Sequence, residues 1–308
     1  DDKGKLPLLK CVAAAEKQMS EAPKARGYLP IDGIVAYDKA VQGLVFGADH
    51  PAVTGGRIST AQAIGGTGGL KLGADFLKRL NPNAQVLISD PSWENHRALF
   101  ESAGFTVGTY PYYDAENRGI NFAGLTATLK AAAAGTIVLL HACCHNPTGY
   151  DLTDAQWDEV IGIIKAQGLV PFLDMAYQGF GNGIAEDGQV VIKFLESGLS
   201  FFVSTSFSKS FSLYGERVGA LSIVSETAEE ASRVLSQLKR VIRTNYSNPP
   251  THGAQVVASV LTNPELRKMW EDELAEMRDR IKQMRTALVS ELTAAGVQGD
   301  LSYITRQK

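Results

Sequence analysis

The sequence has 308 residues, 44% of them hydrophobic and 20% charged, a composition typical of globular chains with one or two domains. The net charge of −3 provides no polybasic surface, so we expect no nucleic-acid partner. No apolar run is long enough to cross a bilayer, so we expect no membrane association. Three cysteines are too few for a disulfide framework and fit a reducing compartment, which predicts a cytoplasmic protein.

The first third of the chain carries three clear patterns. Apolar residues at helical spacing predict helices over residues 8–22 and 34–46, and an apolar run predicts a strand over residues 58–64. A glycine loop, residues 65–69, follows that strand, and a helix is expected from there to Leu80. This arrangement favours phosphate, because free backbone N–H groups and the helix dipole attract an anion. An ordinary tight turn is the alternative, since the glycines match neither a Rossmann fingerprint nor a P-loop.

Strands and helices alternate through the middle of the chain. Strands are predicted over residues 85–89, 105–110, 136–140, 169–173, 199–203 and 218–224, and helices over 95–103, 122–132 and 154–166. Repeated βα units with apolar strands predict an α/β fold, with a mostly parallel, doubly wound sheet between two helical layers. Trp93, Asn146, Asp174 and Lys209 follow the ends of four of these strands, at the edge where such sheets bind ligands.

Residues 204–217 are the most informative segment of the chain. Lys209 lies just past a buried strand, and a partly buried lysine can form a Schiff base with a carbonyl. Clustered serines and Arg217 suit a phosphate, because hydroxyls donate hydrogen bonds and a guanidinium can donate two at once. The combination points to pyridoxal phosphate. A polar loop with a solvated lysine is the alternative.

Asp174 comes directly after five apolar residues. A buried carboxylate needs a partner, and a protonated pyridine nitrogen would serve, because the opposite charge favours the charged form of the ring. A lysine or backbone amides are alternative partners. Tyr177 could donate a hydrogen bond to the ring's phenolic oxygen or could simply pack in the core.

The segment from His141 to His145, with Cys143 and Cys144 between, resembles a metal cluster. In an extended chain the two histidines lie roughly 13 Å apart, too far to share one zinc ion. We therefore interpret both cysteines as structural and expect no metal.

The end of the chain is predicted to hold one long helix. Apolar residues at steps of three and four follow Asn263 and Pro264 for about 30 residues, or ~45 Å. Such a helix usually spans two subdomains, although a coiled-coil arm would have the same pattern. Residues 301–305 are predicted to begin a strand.

Several motifs together identify a resemblance to the class I aminotransferases of the aspartate and aromatic amino acid branch. These enzymes bind pyridoxal phosphate in the fold known as fold type I. The similarity extends over almost the whole chain and rests on the motifs at residues 28–31, 66–68, 90–96, 144–149, 174–180, 206–209, 216–219 and 245–250.

The resemblance implies roles for residues that would surround the cofactor. Lys209 resembles the Schiff-base lysine and proton shuttle, and Asp174 the partner of the pyridinium nitrogen. Tyr177 and Asn146 resemble the partners of the phenolic oxygen, and Trp93 the indole stacked on the ring. The phosphate would be held by Gly66, Thr67, Ser206 and Arg217.

The resemblance also implies a homodimer with shared active sites. Tyr28 resembles the tyrosine that reaches the neighbouring subunit's phosphate. Arg243 resembles the arginine that binds a substrate's distal carboxylate across the dimer, while Trp93 and Asn146 also face the substrate. Residues 1–272 would form the large cofactor-binding domain, and residues 273–308 the interdomain helix and the start of an incomplete small domain.

The implied reaction is transamination between an aromatic amino acid, or aspartate, and 2-oxoglutarate. Residues 206–217 and 143–146 read closer to the bacterial aromatic (tyrosine) enzymes than to the aspartate-selective ones, which remain an alternative. A lyase or decarboxylase on the same scaffold, or a ligand sensor, would also be compatible with the cofactor motifs. Family members begin before residue 1 and continue beyond Lys308, and that tail carries the arginine for the substrate's α-carboxylate, which no residue of this sequence matches.

Overall fold

The computed structural model describes residues 4–308, and its centre is a seven-stranded sheet. The strands are β1 (Ile58–Ile64), β2 (Gln85–Asp90), β3 (Thr106–Pro111), β6 (Ile137–His141), β7 (Val170–Met175), β8 (Phe201–Ser206) and β9 (Val218–Val224), and a two-residue hairpin is made by β4 (Tyr113–Asp114) and β5 (Gly119–Ile120). Their order in the sheet is β1-β9-β8-β7-β6-β2-β3. Only β9 runs against its neighbours, so the predicted mostly parallel sheet is confirmed.

Helices cover both faces of this sheet. They are α1 (Lys10–Glu21), α2 (Val35–Gln42), α3 (Pro51–Thr54), α4 (Gly65–Leu80), α5 (Asn95–Ser102), α6 (Phe122–Ala131), α7 (Asp154–Gln167), α8 (Ile184–Glu196), α9 (Ala228–Asn245), α10 (His252–Thr262), α11 (Pro264–Ala294) and α12 (Ser302–Arg306). Neighbouring strand residues divide between two cores, as Leu139 and Leu140 show: Leu139 packs with α4, α5 and α9, and Leu140 with helices of the opposite layer. The predicted doubly wound α/β fold is therefore confirmed.

The glycines after β1 form a helix rather than the predicted loop. Helix α4 begins at Gly65, directly after the strand. A Cβ on Gly69 would lie 2.6 Å from the Ser204 hydroxyl oxygen, and one on Gly73 would lie 2.5 Å from the Phe172 ring. The glycines therefore let α4 approach the sheet closely, which explains why they continue into the helix.

Two other expectations about local structure were incomplete or wrong. The helix predicted over residues 34–46 is α2 followed by a π-helical turn, Gly43–Gly47. Residues 301–305 form the short helix α12 instead of a strand. The Asp300 carboxylate accepts a hydrogen bond from the Ser302 amide at the helix start, and Tyr303 packs under the Arg118 guanidinium.

The long helix α11 has 31 residues, close to the predicted length. Its first part is anchored in the core through Leu266, Trp270 and Leu274, and the Trp270 indole N–H donates to the Ser210 carbonyl at 2.8 Å. Beyond this point Ile281, Met284 and Leu288 are exposed in the chain. Among residues 4–308, no helix combines the length and apolar character that crossing a membrane requires.

Candidate active site

A cavity of about 220 Å³ opens at the edge of the sheet where the parallel strands end. Its walls contain nine residues predicted from the sequence to bind a cofactor: Gly66, Thr67, Trp93, Asn146, Asp174, Tyr177, Ser206, Lys209 and Arg217. They come from the ends of β1, β2, β6, β7 and β8 and from the start of β9. Because β9 is antiparallel, the residue preceding it reaches the same edge as residues following the other strands.

Lys209 lies in the turn after β8, and its ammonium nitrogen sits 4.7 Å from the centre of the Tyr177 ring. Burial lowers the pKa of the lysine, and the Arg217 charge lowers it further, while the Asp174 carboxylate acts in the opposite direction. The net lowering makes the free amine more accessible near neutral pH, as nucleophilic attack on a carbonyl requires.

Asp174 lies within β7, beside His141 of β6 and Ser204 of β8. The His96 Nε2 lies 2.8 Å from one oxygen of its carboxylate, and Ser92 Oγ lies 2.8 Å from the other ring nitrogen of His96. A carboxylate only accepts, so Nε2 of His96 carries a proton and donates a hydrogen bond to Asp174. Burial raises the pKa of Asp174, but its hydrogen bond with His96 and the nearby Lys209 outweigh burial and leave the pKa below the ordinary value. The carboxylate therefore stays charged.

The opposite end of the cavity gathers hydrogen-bond donors. Among the described residues, no side chain caps the N-terminus of α4, so backbone N–H groups of its first turn remain available to an anion. Arg217 has a left-handed backbone conformation, with φ of 55°, and its guanidinium donates to the Tyr214 carbonyl at 3.1 Å. A Cβ on Gly65 would lie 2.5 Å from that guanidinium, so the glycine leaves room for Arg217 beside the helix N-terminus.

Ser206 and Ser208 add hydroxyl groups to the same donor cluster. The Ser208 amide donates to Ser206 Oγ at 3.3 Å, and Ser208 Oγ accepts from Arg217 at 3.4 Å. Both hydroxyl protons therefore remain available for a bound anion. Together with Arg217 and the helix N-terminus, these groups make a positively polarised end of the cavity.

Two predicted residues lie outside the cavity. The side chain of Tyr28 is 96% exposed, and it lies in an irregular segment before α2. Arg243 is exposed in the last turn of α9, where its guanidinium donates to the Ser247 hydroxyl. The chain by itself therefore does not bring Tyr28 or Arg243 to the cavity.

The distance expected between His141 and His145 was wrong. Their ring centres lie 4.1 Å apart, because the chain turns at Cys144, whose φ is +48°. His145 is hydrogen-bonded at both nitrogens, to the hydroxyls of Ser89 and Thr148, each at 2.8 Å. Burial lowers the pKa of His141 well below its usual range and that of His145 to about 3, so both rings are neutral.

Sequence reasoning missed the contribution of His96. It belongs to the motif at residues 90–96, yet no role was assigned to it, and it is completely buried at the start of α5. The available signal was its spacing from Ser92, since residues four apart can meet on one side of a helical turn. Its contact with Asp174 joins residues 78 positions apart, and no local pattern reveals such a contact.

The residues present fit a flat molecule with a phosphate at one end and a basic ring nitrogen at the other. The donor cluster at α4 suits the phosphate, and the charged Asp174 suits a protonated nitrogen. Lys209 offers an amine, and Trp93, whose ring meets His96 edge to face at 5.2 Å, offers an aromatic surface in the wall.

Comparisons with known proteins identify the family. The sequence model of the family "Aminotransferase class I and II" matches residues 1–308. The chain is 64% identical over 308 residues to an aspartate aminotransferase of Pseudomonas aeruginosa, which aligns with 100% of this chain over 77% of its own length. It is 52% identical over 309 residues to an aromatic-amino-acid aminotransferase of Escherichia coli, again with 100% of this chain and 78% of that protein.

A solved structure shows the same fold. The aromatic-amino-acid aminotransferase of Burkholderia pseudomallei, crystallised covalently bound to pyridoxal phosphate, superposes with a TM-score of 0.99 and 63% identity. The match covers 100% of this chain and 77% of that one. The resemblance expected from the sequence is thereby confirmed: the chain belongs to the class I and II aminotransferase family.

Proposed function

We propose that the protein is a pyridoxal-phosphate-dependent aminotransferase that moves the amino group of an aromatic amino acid, or of aspartate, to 2-oxoglutarate. One observation carries this proposal: Lys209, the charged Asp174 and the donor cluster at α4 face a single cavity. The relatives named above support both substrate classes, since one is an aspartate enzyme and the other an aromatic one.

The cavity residues would hold the cofactor at three places. Gly66, Thr67, Ser206 and Arg217 would hold the phosphate, with Ser208 as a further donor. Asp174 would hold the ring nitrogen, Asn146 and Tyr177 the ring hydroxyl, and Trp93 would cover a ring face. When bound, pyridoxal phosphate supplies an electron-withdrawing ring that takes up the charge left when an amino acid loses its α-proton.

His96 and Ser92 fix the carboxylate that faces the ring nitrogen. The ring of His96 is held at both nitrogens, so Asp174 cannot easily rotate away or take up a proton. A fixed negative charge in a buried site favours a protonated nitrogen more strongly than it would in water. The hydrogen bonds from Ser92 through His96 to Asp174 therefore keep the Asp174 carboxylate charged, and the cofactor's chemistry depends on that charge.

Lys209 is the base that the geometry offers for the α-proton. Its lowered pKa leaves more of the amine unprotonated at neutral pH, and the same group can return the proton to a neighbouring carbon.

We propose that two chains complete each other's sites in a cytoplasmic homodimer. Tyr28 and Arg243 are exposed on the single chain, as expected of residues that act in a partner's cavity. We also propose that residues 1–272 form the large domain and that residues 273–308 belong to the interdomain helix and a small domain, because the last buried residue of α11, Leu274, lies close to this boundary.

Borohydride reduction tests the central assignment. Reduction of the protein with its cofactor, followed by peptide mapping, should place the pyridoxyl group on Lys209, and Lys209→Ala should abolish the label. A label on another lysine would exclude the assigned role. Formation of the keto acid should require 2-oxoglutarate, whereas a lyase or decarboxylase would consume the amino acid without an acceptor.

A further inference from the structure

Two adjacent buried cysteines after β6 point to the same place. Side chains of consecutive residues in an extended strand alternate in direction, but the left-handed backbone at Cys144 breaks that alternation. The amides of Cys144 and His145 both donate to the Asp151 carboxylate at 2.9 Å, which holds the turn. As a result the sulfur atoms of Cys143 and Cys144 and one oxygen of Asp187 all lie within 4.8 Å of one another.

Asp187 is preorganised as an oxygen ligand. Its carboxylate accepts hydrogen bonds at 2.9 Å from the amides of Gly179, Gly181 and Asn182, two on Oδ2 and one on Oδ1. A carboxylate has about four acceptor positions, so one remains. The group is 6% exposed, and its orientation is fixed independently of the cysteines.

The two thiols have no other assigned use. They are 5% and 7% exposed and are not joined by a disulfide. The thiol of Cys143 is hydrogen-bonded to that of Cys144, and this contact together with burial raises its pKa well above the usual range. Cys143 is therefore a poor nucleophile without a cation, but a bound cation can displace thiol protons directly.

We propose that Cys143, Cys144 and Asp187 bind one thiophilic divalent cation, Zn²⁺ or Cd²⁺, beside the cofactor cavity. Thiolate ligands select soft cations over Mg²⁺ or Ca²⁺. Zn–S bonds of ~2.3 Å place two sulfurs ~3.8 Å apart in a tetrahedral site, so the two sulfur atoms, now within 4.8 Å of each other, need to approach by about an ångström or less. Binding releases two thiol protons and involves no oxidation.

The residues around the cluster determine how a cation reaches it and which groups bind the cation. Cys143 and Asp187 also line a second cavity of about 290 Å³, with Asp151 and Glu186 in its walls, which provides an acidic approach for a cation. His145 cannot supply a ligand without losing its hydroxyl partners. The site is therefore built from the dithiol and one carboxylate, and water or a neighbouring group would complete the coordination.

Cadmium titration of the purified protein tests the site directly. Bound thiolate gives a sulfur-to-cadmium charge-transfer band in the ultraviolet, which should saturate at one Cd²⁺ per chain. Zn²⁺ should displace the cadmium and remove the band, whereas excess Mg²⁺ should not. If the protein shows no saturable band, or if Mg²⁺ removes it, the proposal is wrong.

Single substitutions assign the band to this pair. Cys143→Ser and Cys144→Ser should each weaken cadmium affinity by at least about tenfold, with circular dichroism confirming the fold. Cys11→Ser is the matched control, because Cys11 is equally buried but lies in α1 beside Glu273, and it should bind cadmium as the wild type does. A band that survives both substitutions, or disappears in the control, would overturn the assignment. Because cadmium binding is read without substrate, the result is independent of transaminase activity.

Discussion

Replacing His96 by phenylalanine should damage the site chiefly through Asp174, with the smaller loss of the hydrogen bond to Ser92. Phenylalanine preserves the ring volume in a position that is completely buried, but it cannot donate to the carboxylate oxygen that His96 reaches at 2.8 Å. The other charged group acting on Asp174 from the cavity is Lys209, and only 7% of Asp174 is exposed to water. The substitution therefore leaves a buried charge without its hydrogen-bond donor.

The expected cost follows from that environment. The contact between His96 and Asp174 is a hydrogen bond to a charged group, and such a bond contributes about 1.5–3 kcal/mol. We therefore expect His96→Phe to lower the free energy of unfolding by about 1.5–3 kcal/mol. In the Asp174→Ala background, His96→Phe should lower the free energy of unfolding by about 1.5–3 kcal/mol less, because no buried carboxylate is then left without its hydrogen-bond donor.

A double-mutant cycle measures this difference. Urea unfolding of the wild type, the two single variants and the double variant gives the coupling free energy, and the half-reaction with an aromatic amino acid gives its kinetic counterpart. Asp174→Ala should retain some cofactor and lose most transamination, and adding His96→Phe should slow it little further. His96→Gln is the matched control, because the glutamine amide can still donate to the carboxylate.

Additive effects would refute the reasoning. If His96→Phe lowers stability and rate equally in both backgrounds, His96 contributes packing and not a fixed partner for Asp174. An unaltered half-reaction in Asp174→Ala would remove the catalytic importance of the carboxylate itself.

Two further predictions concern substrate choice and pH. Arg243→Leu should lower kcat/KM for aspartate roughly 10- to 100-fold, because a charge-assisted hydrogen bond is lost, and should lower kcat/KM for phenylalanine much less. Arg240→Leu, one turn earlier on the exposed side of α9, is the control. Equal losses of kcat/KM for both substrates would exclude the role. Hybrid dimers that pair an Arg243→Leu subunit with a Lys209→Ala subunit should keep about half the wild-type aspartate activity, because the site that contains Lys209 receives the intact Arg243 of the other subunit; little or no activity would exclude action across the interface. The pKa of His145 falls from 6.5 to about 3 on folding. Between these two values of pH, this histidine is therefore protonated in the unfolded chain and neutral in the folded chain. The contribution of His145 to the free energy of unfolding should be fully present above pH 6.5 and should fall by up to ~1.4 kcal/mol per pH unit as the pH is lowered towards 3. His145→Gln should reduce the slope of unfolding free energy against pH in this range, and an unchanged slope would contradict the assignment of a neutral ring.

Position relative to strands was enough to predict most of the cavity. Asp174 and Lys209 could be placed because apolar runs mark buried strands, and the ends of parallel strands meet at one edge. The exposed Tyr28 and Arg243 were assigned by resemblance alone, since a single sequence carries no sign of what a second chain places beside them.

Contacts between residues that are distant in the sequence could not be predicted from the sequence patterns. The glycines at 65–69 looked like a loop, because the close approach of α4 to Ser204 depends on packing between separate elements. The distance between His141 and His145 was wrong, because one left-handed residue, Cys144, reverses the direction that an extended chain would take. Both errors arise where tertiary contacts override local preference.

The reversed direction of β9 determines how Lys209 and Arg217, the two proposed anchors of the cofactor, can move. Strands β8 and β9 form an antiparallel pair in the interior of the sheet, and Lys209 and Arg217 both lie in the connection between them. Lys209 and Arg217, the arginine that we propose binds the phosphate, are thus carried by one hairpin, which the flanking strands β7 and β1 hold on both sides. Any rotation of residues beyond α11 therefore leaves the distance between these anchors unchanged, and opening of the site would expose the substrate side while the cofactor stays held at both ends.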